Sequence, residues 1–213
     1  MSVLEDVSAA LQSGRSAKVK ENIQKALDEG IKPQDILEKG LIAGMDIVGE
    51  KFKNNEVFVP EVLVAARAMN AGTTMLRPLL VADGVQSKGT CVIGTVKGDL
   101  HDIGKNLVKM MIEGKGMTAV DLGVDVSPEQ YVQAAIENNA QIICCSALLT
   151  TTMVEMKNVV EECKKQGIRD KVKIMVGGAP ITQAFCDEIG ADYYTSDAAS
   201  ASDVALAICE GRM

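Results

Sequence analysis

The sequence predicts an α/β fold in two parts, a helical bundle over residues 1–86 and a doubly wound, five-stranded, mainly parallel sheet over 89–213. Three observations carry this prediction. Apolar residues recur at helical spacing up to about residue 86; beyond residue 89 short apolar, β-branched runs alternate with helical segments; between the two, "VADGVQSKG" (81–89) is polar and glycine-containing, as a linker is.

In the first part, "ENIQKALDEG" ends in a glycine suited to a helix C-terminus. "IKPQDILEKGLIAGMDIVGEKF" repeats apolar residues at three- and four-residue spacing after Pro33, a good first-turn residue. Asn54 and Asn55 interrupt that pattern, and Pro60 can start the next helix. Four amphipathic segments joined by short loops predict a small antiparallel bundle. In the second part the predicted strands are "GTCVIGTV" (89–96), "MTAVDLG" (117–123), "QIICCSA" (141–147), "KVKIMVGGA" (171–179) and "ADYYTSD". Helical segments separate them: "DIGKNLVKMMIEGKG", "SPEQYVQAAIENN" with Ser127 and Pro128 as a helix start, about Thr151 to Gln166, and "PITQAFCDEIG". "ASDVALAICE" follows the last strand.

Composition narrows the function classes. With 47% hydrophobic and 24% charged residues the chain is neither disordered nor fibrous. A net charge of −7 without a basic block argues against nucleic acid and against an anionic membrane surface as partners. The first residues lack the apolar core of a signal peptide and no later stretch approaches the ~20 apolar residues that span a bilayer, so a cytoplasmic location is expected. The six cysteines form no CxxC pair, and Cys91, Cys144 and Cys145 lie in apolar runs that read as buried reduced thiols.

In doubly wound sheets ligands bind outside the carboxyl ends of the strands, where the strand order switches. The loops predicted there are "KGDLHDIG", "GVDVSP", "SALLTTT" and "GGAP". The first is longer and more polar than a GxGxxG turn, which argues against a dinucleotide. The third contains no carboxylate, which argues against a phosphoacceptor receiver. His101, the only histidine, lies two residues after Asp99. Neutral imidazole is a common metal ligand when its second nitrogen donates to a carboxylate, although a lone His beside an Asp is more often a surface or capping pair. One His without clustered Cys or carboxylates cannot build a zinc or iron site; it suffices for a metal that brings its own equatorial ligands.

The run "DLHDIG" (Asp99, His101, Asp102, Ile103, Gly104), with "SALLT" (146–150) and "GGA" (177–179) in later strand-end loops, resembles the cobalamin-binding domain. That domain is shared by methionine synthase, the corrinoid proteins of methyltransferase systems and cobalamin-dependent mutases. The resemblance implies a Rossmann-like, flavodoxin-like domain holding cobalamin or a related corrinoid, cycling through methylcobalamin, cob(I)alamin and cob(II)alamin. It makes His101 the lower axial cobalt ligand and Asp99 the acceptor of its other ring proton, with Asp102 and Ile103 inside the same motif. Gly104 lets backbone approach the nucleotide tail. Ser146, Leu148 and Thr150 belong to the loop at the cofactor's buried base, Thr152 replaces a serine that completes the His–Asp relay, and Gly177 and Gly178 make room for the tail.

"KFKNNEVFVPEVLVAARAM" (51–69) resembles the segment that caps the corrin in methionine synthase and the methyltransferase corrinoid proteins. Phe52 and Val59 are therefore candidates to shield the upper face, with bundle-core packing as the other reading. The implied function is a methyl carrier, non-catalytic by itself. It would accept a methyl group from a substrate:corrinoid methyltransferase and pass it to a corrinoid:tetrahydrofolate or corrinoid:thiol-coenzyme methyltransferase, with a reductive activase to restore it. The alternatives are the cobalamin subunit of an adenosylcobalamin-dependent mutase, which typically lacks the bundle, and a cobalamin-dependent sensor, which would need a basic recognition helix.

Overall fold

The computed structural model describes residues 2–213. The chain forms two compact units, one running to Ser87 and including Gly114–Gly116, the other comprising Lys88–Glu113 and Met117–Met213.

The first unit is helical. Helix α1 (Val3–Gln12) begins with a capping box: Glu5 N–H donates to Ser2 Oγ at 3.3 Å and Ser2 N–H to Glu5 Oε2 at 2.7 Å. After α2 (Ser16–Asp28) comes one helical run, α3 (Pro33–Asp35), a π-helical stretch (Ile36–Ile42) and α4 (Ala43–Lys53). Pro33 opens it, as the sequence predicts. Helix α5 (Val59–Ala82) has Pro60 in its first turn, where Phe58 N–H donates to Glu61 Oε2 at 3.0 Å. Val7, Leu11, Val19, Ile23, Ile36, Leu41 and Leu76 are completely buried between these helices. Glycines set the closest approach: a Cβ on Gly40 would lie 3.0 Å from Val7 Cγ1, and one on Gly44 3.1 Å from Ser8 Cα.

The second unit alternates strand and helix. It runs β1 (Thr90–Thr95), α6 (Ile103–Gly114), β2 (Thr118–Asp121), α7 (Pro128–Glu137), β3 (Ile142–Ser146), α8 (Val154–Lys165), β4 (Lys173–Gly177), α9 (Gln183–Ile189), β5 (Tyr193–Tyr194) and α10 (Ala198–Cys209). The strand order is β2-β1-β3-β4-β5 and every pairing is parallel. This is the flavodoxin-like order, whose switch point lies between β1 and β3. Both faces are covered, which is why the strands read as continuous apolar runs. Val92, Ile143, Cys145 and Ile174 pack on one side with Tyr131 of α7 and Val159 of α8; Ile93, Ile142, Cys144 and Met175 pack on the other with Ile112 of α6 and Ala205 of α10.

All six cysteines are free and all but the half-buried Cys209 are buried, as the sequence implies for Cys91, Cys144 and Cys145. Among the described residues no helix is long and apolar enough to cross a membrane. Helix α8 starts at Val154 rather than near Thr151, because residues 149–152 form a tight turn in which Thr152 N–H donates to Leu149 C=O at 3.1 Å.

Candidate functional site

The loops after β1 and β3 meet at the switch point, and one carboxylate joins them. Parallel pairing sets Thr95 opposite Ser146 at the strand ends, so the two loops leave the sheet side by side. The first turns at Gly98, whose φ of +80° favours glycine. It brings Asp99 inward: Asp99 N–H donates to Val96 C=O at 3.1 Å, and the side chain is fully buried.

Both oxygens of Asp99 are engaged. Oδ1 accepts from His101 N–H at 3.0 Å and lies 2.7 Å from His101 Nδ1. Oδ2 accepts from Leu148 N–H at 2.8 Å, Leu149 N–H at 3.2 Å and stands 2.9 Å from Thr152 Oγ1. The Thr152 hydroxyl is also 2.9 Å from Leu149 C=O, so its single proton has two acceptors, of which the charged one is the stronger. Burial pushes the Asp99 carboxyl up, but the hydrogen bonds from His101, Leu148 and Leu149 outweigh it and hold the group well below the usual carboxylate range. Asp99 is therefore an anion that only accepts. It fixes the imidazole tautomer: Nδ1 carries the proton, leaving the Nε2 lone pair on a side chain that is 52% exposed.

The sequence-predicted residues fall into distinct places. Asp99, His101, Leu148 and Thr152 come together directly. Asp102 caps α6, its carbonyl accepting from Asn106 N–H at 2.8 Å and its carboxylate from Asn106 Nδ2 at 3.0 Å. Ile103 projects outward, 76% exposed, and a Cβ on Gly104 would meet nothing within 4 Å, so its side of α6 is open to an approaching group. Ser146 ends β3 half-buried and Thr150 is exposed in the following loop. Gly177 is nearly open, whereas Gly178, at φ +133°, is required by the fold itself: a Cβ there would lie 1.9 Å from Ala147 O. Phe52 and Val59 are half-buried in the helical unit.

Some contributors escape a sequence reading. Thr95, fully buried, donates through Oγ1 to His101 C=O at 2.8 Å. Lys105 is 3% exposed and its Nζ lies 2.6 Å from Asp121 Oδ1, tying α6 to β2. Burial raises the Asp121 carboxyl, and Lys105 and Lys109 together with Gly123 N–H bring it below its ordinary value. Phe58, adjoining the predicted Val59, is more exposed than either predicted cap residue, at 63%. The sequence shows there only an aromatic two residues before the helix-starting Pro60.

What can such a site hold? Among the described residues no group of three or more His, Cys, Asp or Glu could hold a metal ion. A single neutral imidazole nitrogen, oriented by a buried carboxylate, fits a metal that arrives with its own equatorial ligands. Leu100 (71%), Ile103, Leu148 and Val154 are exposed in the same loops and the helix starts beside them, an apolar set suited to cover by a large ligand with apolar edges. The donor set and its surroundings fit a corrinoid.

Comparison with known proteins agrees. Residues 89–204 match the family model "B12 binding domain", and a second model of the same description matches residues 3–77. The chain is 44% identical over 200 residues to the dimethylamine corrinoid protein of Methanosarcina barkeri, covering 93% of each chain. It is 48% identical over 183 residues to trimethylamine corrinoid protein 1 of Methanosarcina acetivorans, covering 85% of this chain and 83% of the relative. The methanol:cobalamin methyltransferase complex of Methanosarcina barkeri contains a chain that superposes with a TM-score of 0.88 at 31% identity, over 98% of this chain and 80% of that one. With its histidine held at the switch point of a flavodoxin-like sheet, and with relatives alike over most of its length, the chain belongs to the B12-binding family, as a corrinoid protein of a methyltransferase system.

Proposed function

We propose that this chain binds cobalamin or a related corrinoid and serves as a methyl carrier between two methyltransferases. The observation that carries the proposal is the Asp99–His101 pair, which leaves one imidazole nitrogen free, oriented and accessible. A corrinoid bound there supplies a cobalt that takes up a methyl group and gives it away again.

The protein's part follows from its own atoms. His101 Nε2 would be the atom that holds the cobalt, with Asp99 Oδ1 accepting a hydrogen bond from Nδ1–H so that the Nε2 lone pair faces the ligand. Thr152, donating to Asp99 Oδ2, tempers the charge of that carboxylate. Leu148 and Ile103, both exposed beside His101, would exclude water from the bound group. Gly104 and Gly177 leave backbone open to the nucleotide tail, and Ser146 offers a hydroxyl at the end of β3. Phe52, Phe58 and Val59 of the helical unit are the apolar groups available to shield the methyl face.

The partners proposed are a substrate-specific methyltransferase, a second methyltransferase whose acceptor is tetrahydrofolate or a thiol coenzyme, and a reductive activase. The likeness to methylamine corrinoid proteins and to a chain of a methanol:cobalamin methyltransferase complex supports this reading. Reconstitution with cobalamin tests it. The expected result is a stoichiometric complex whose methylated form has a visible spectrum shifted by His101→Ala; a protein that retains no corrinoid through gel filtration would overturn it.

A further inference from the structure

We infer that Asp125, in the loop between β2 and α7, is a positioning residue for the His101 imidazole. The inference rests on the proposed corrinoid function for its purpose, but not for its geometry.

Asp125 holds the backbone on both sides of the Asp99 peptide. Its carboxylate Oδ1 accepts from Gly98 N–H at 2.7 Å, a short charge-assisted bond, and its own N–H donates to Asp99 C=O at 3.0 Å. One residue from a different loop thus recognises the Gly98–Asp99 dipeptide at two points. The geometry requires a left-handed backbone, φ +56°, at a non-glycine residue, which aspartate tolerates better than most. The loop carrying Asp125 is fixed in turn to β1. Leu122 N–H donates to Ile93 C=O at 2.8 Å, Thr95 N–H to Gly123 C=O at 3.0 Å, and Val126 N–H to Thr95 C=O at 3.0 Å.

The consequence concerns His101. Gly98, at φ +80°, is where the loop turns, and it has no side chain to hold it there. Asp99 can orient the imidazole only if its backbone does not slide toward or away from the loop after β3, where Leu148 and Leu149 wait for Oδ2. Thr95 secures the far side of the loop through His101 C=O. Asp125 secures the near side. With both ends fixed, the imidazole is preorganised before any ligand arrives.

Three substitutions separate backbone from carboxylate. Asp125→Gly keeps the left-handed φ and the N–H but removes the acceptor; Asp125→Asn keeps all three; Asp125→Ala loses the carboxylate and strains the backbone. Because His101 is the only histidine, its ring nitrogens can be followed by 15N NMR in the protein without cofactor. Hydrogen exchange at Gly98 N–H reports the bond itself. We expect Asp125→Gly to speed Gly98 exchange about tenfold or more and to move the His101 nitrogens toward averaged tautomer values, with Asp125→Asn near wild type. Cobalamin-loaded Asp125→Gly should show a larger His-off fraction in its visible spectrum. If Asp125→Gly matches wild type in Gly98 exchange and in His101 nitrogen shifts, the inference is wrong. If instead the wild type takes up no corrinoid, the functional reading fails while the cofactor-free measurements still decide this one.

Discussion

The two units of this protein use glycine and polar atoms in opposite ways. In the helical unit, Gly40 and Gly44 let α1 settle against the helix they belong to, and polar groups cap ends: Glu5 at Ser2, Glu61 at Phe58. In the sheet unit, Gly98 and Gly178 shape loops around a buried carboxylate that binds four residues of two loops. The first arrangement is held by close packing and tolerates local change in proportion to volume. The second is held by a charge, and removing it leaves buried donors without an acceptor. The proposed corrinoid site lies in the sheet unit.

Substitutions can break or sharpen that contrast, and the largest effect is expected at Asp99. Asp99→Asn places an amide NH2 where only acceptors fit, against either the His101 or the Leu148 donors. A loss of about 2–4 kcal/mol in urea unfolding of the sheet unit is expected, with randomised His101 tautomers by 15N NMR. A variant as stable as wild type would show that the carboxylate is not what holds the loops.

Acid tests the same charge. Because the folded Asp99 carboxyl is held below its unfolded value of about 3.9, its stabilisation is fully present above that value and disappears as pH falls further, through the folded one. Wild type should remain more stable than Asp99→Asn throughout pH 8 to pH 5, and the two should converge only below about pH 4. Convergence already at neutral pH would contradict the assignment.

Gly44→Ala should cost about 1–2 kcal/mol in the helical unit, since its Cβ would press on Ser8 backbone, while leaving the His101 NMR signals unchanged. Thr152→Val should cost about 1 kcal/mol in urea unfolding of the sheet unit, because Asp99 Oδ2 loses its hydroxyl donor. Phe58→Ala, at an exposed site, should change stability by no more than about 0.5 kcal/mol yet slow methyl transfer or raise its loss to water if Phe58 shields the methyl face.

The same contrast explains what the sequence disclosed. The strands were legible because both faces of a parallel sheet are buried, so β1 and β3 read as unbroken apolar runs. His101 and Asp99 were legible because the motif is local, two residues apart. Thr152 could be placed through the family pattern alone, since 53 residues separate it from Asp99. Asp125 was not legible: an Asp in a strand-end loop is ordinary, and only the folded chain brings it to Gly98, 27 residues away. The π-helical stretch Ile36–Ile42 was equally hidden, because its apolar spacing is that of an α-helix to within one residue. Gly178 in the sequence implies space for a ligand, and the fold uses it first for the approach to Ala147.

The proposed corrinoid function turns on cobalt ligation by His101 Nε2. Electron paramagnetic resonance of the cob(II)alamin-loaded protein, prepared with 14N- and with 15N-histidine, tests it directly, because one histidine makes the labelling unambiguous. Ligation by His101 Nε2 changes the superhyperfine splitting of the cobalt lines from triplets to doublets on labelling. Splitting that is insensitive to the label, from the cofactor's own base or from no nitrogen at all, would contradict it.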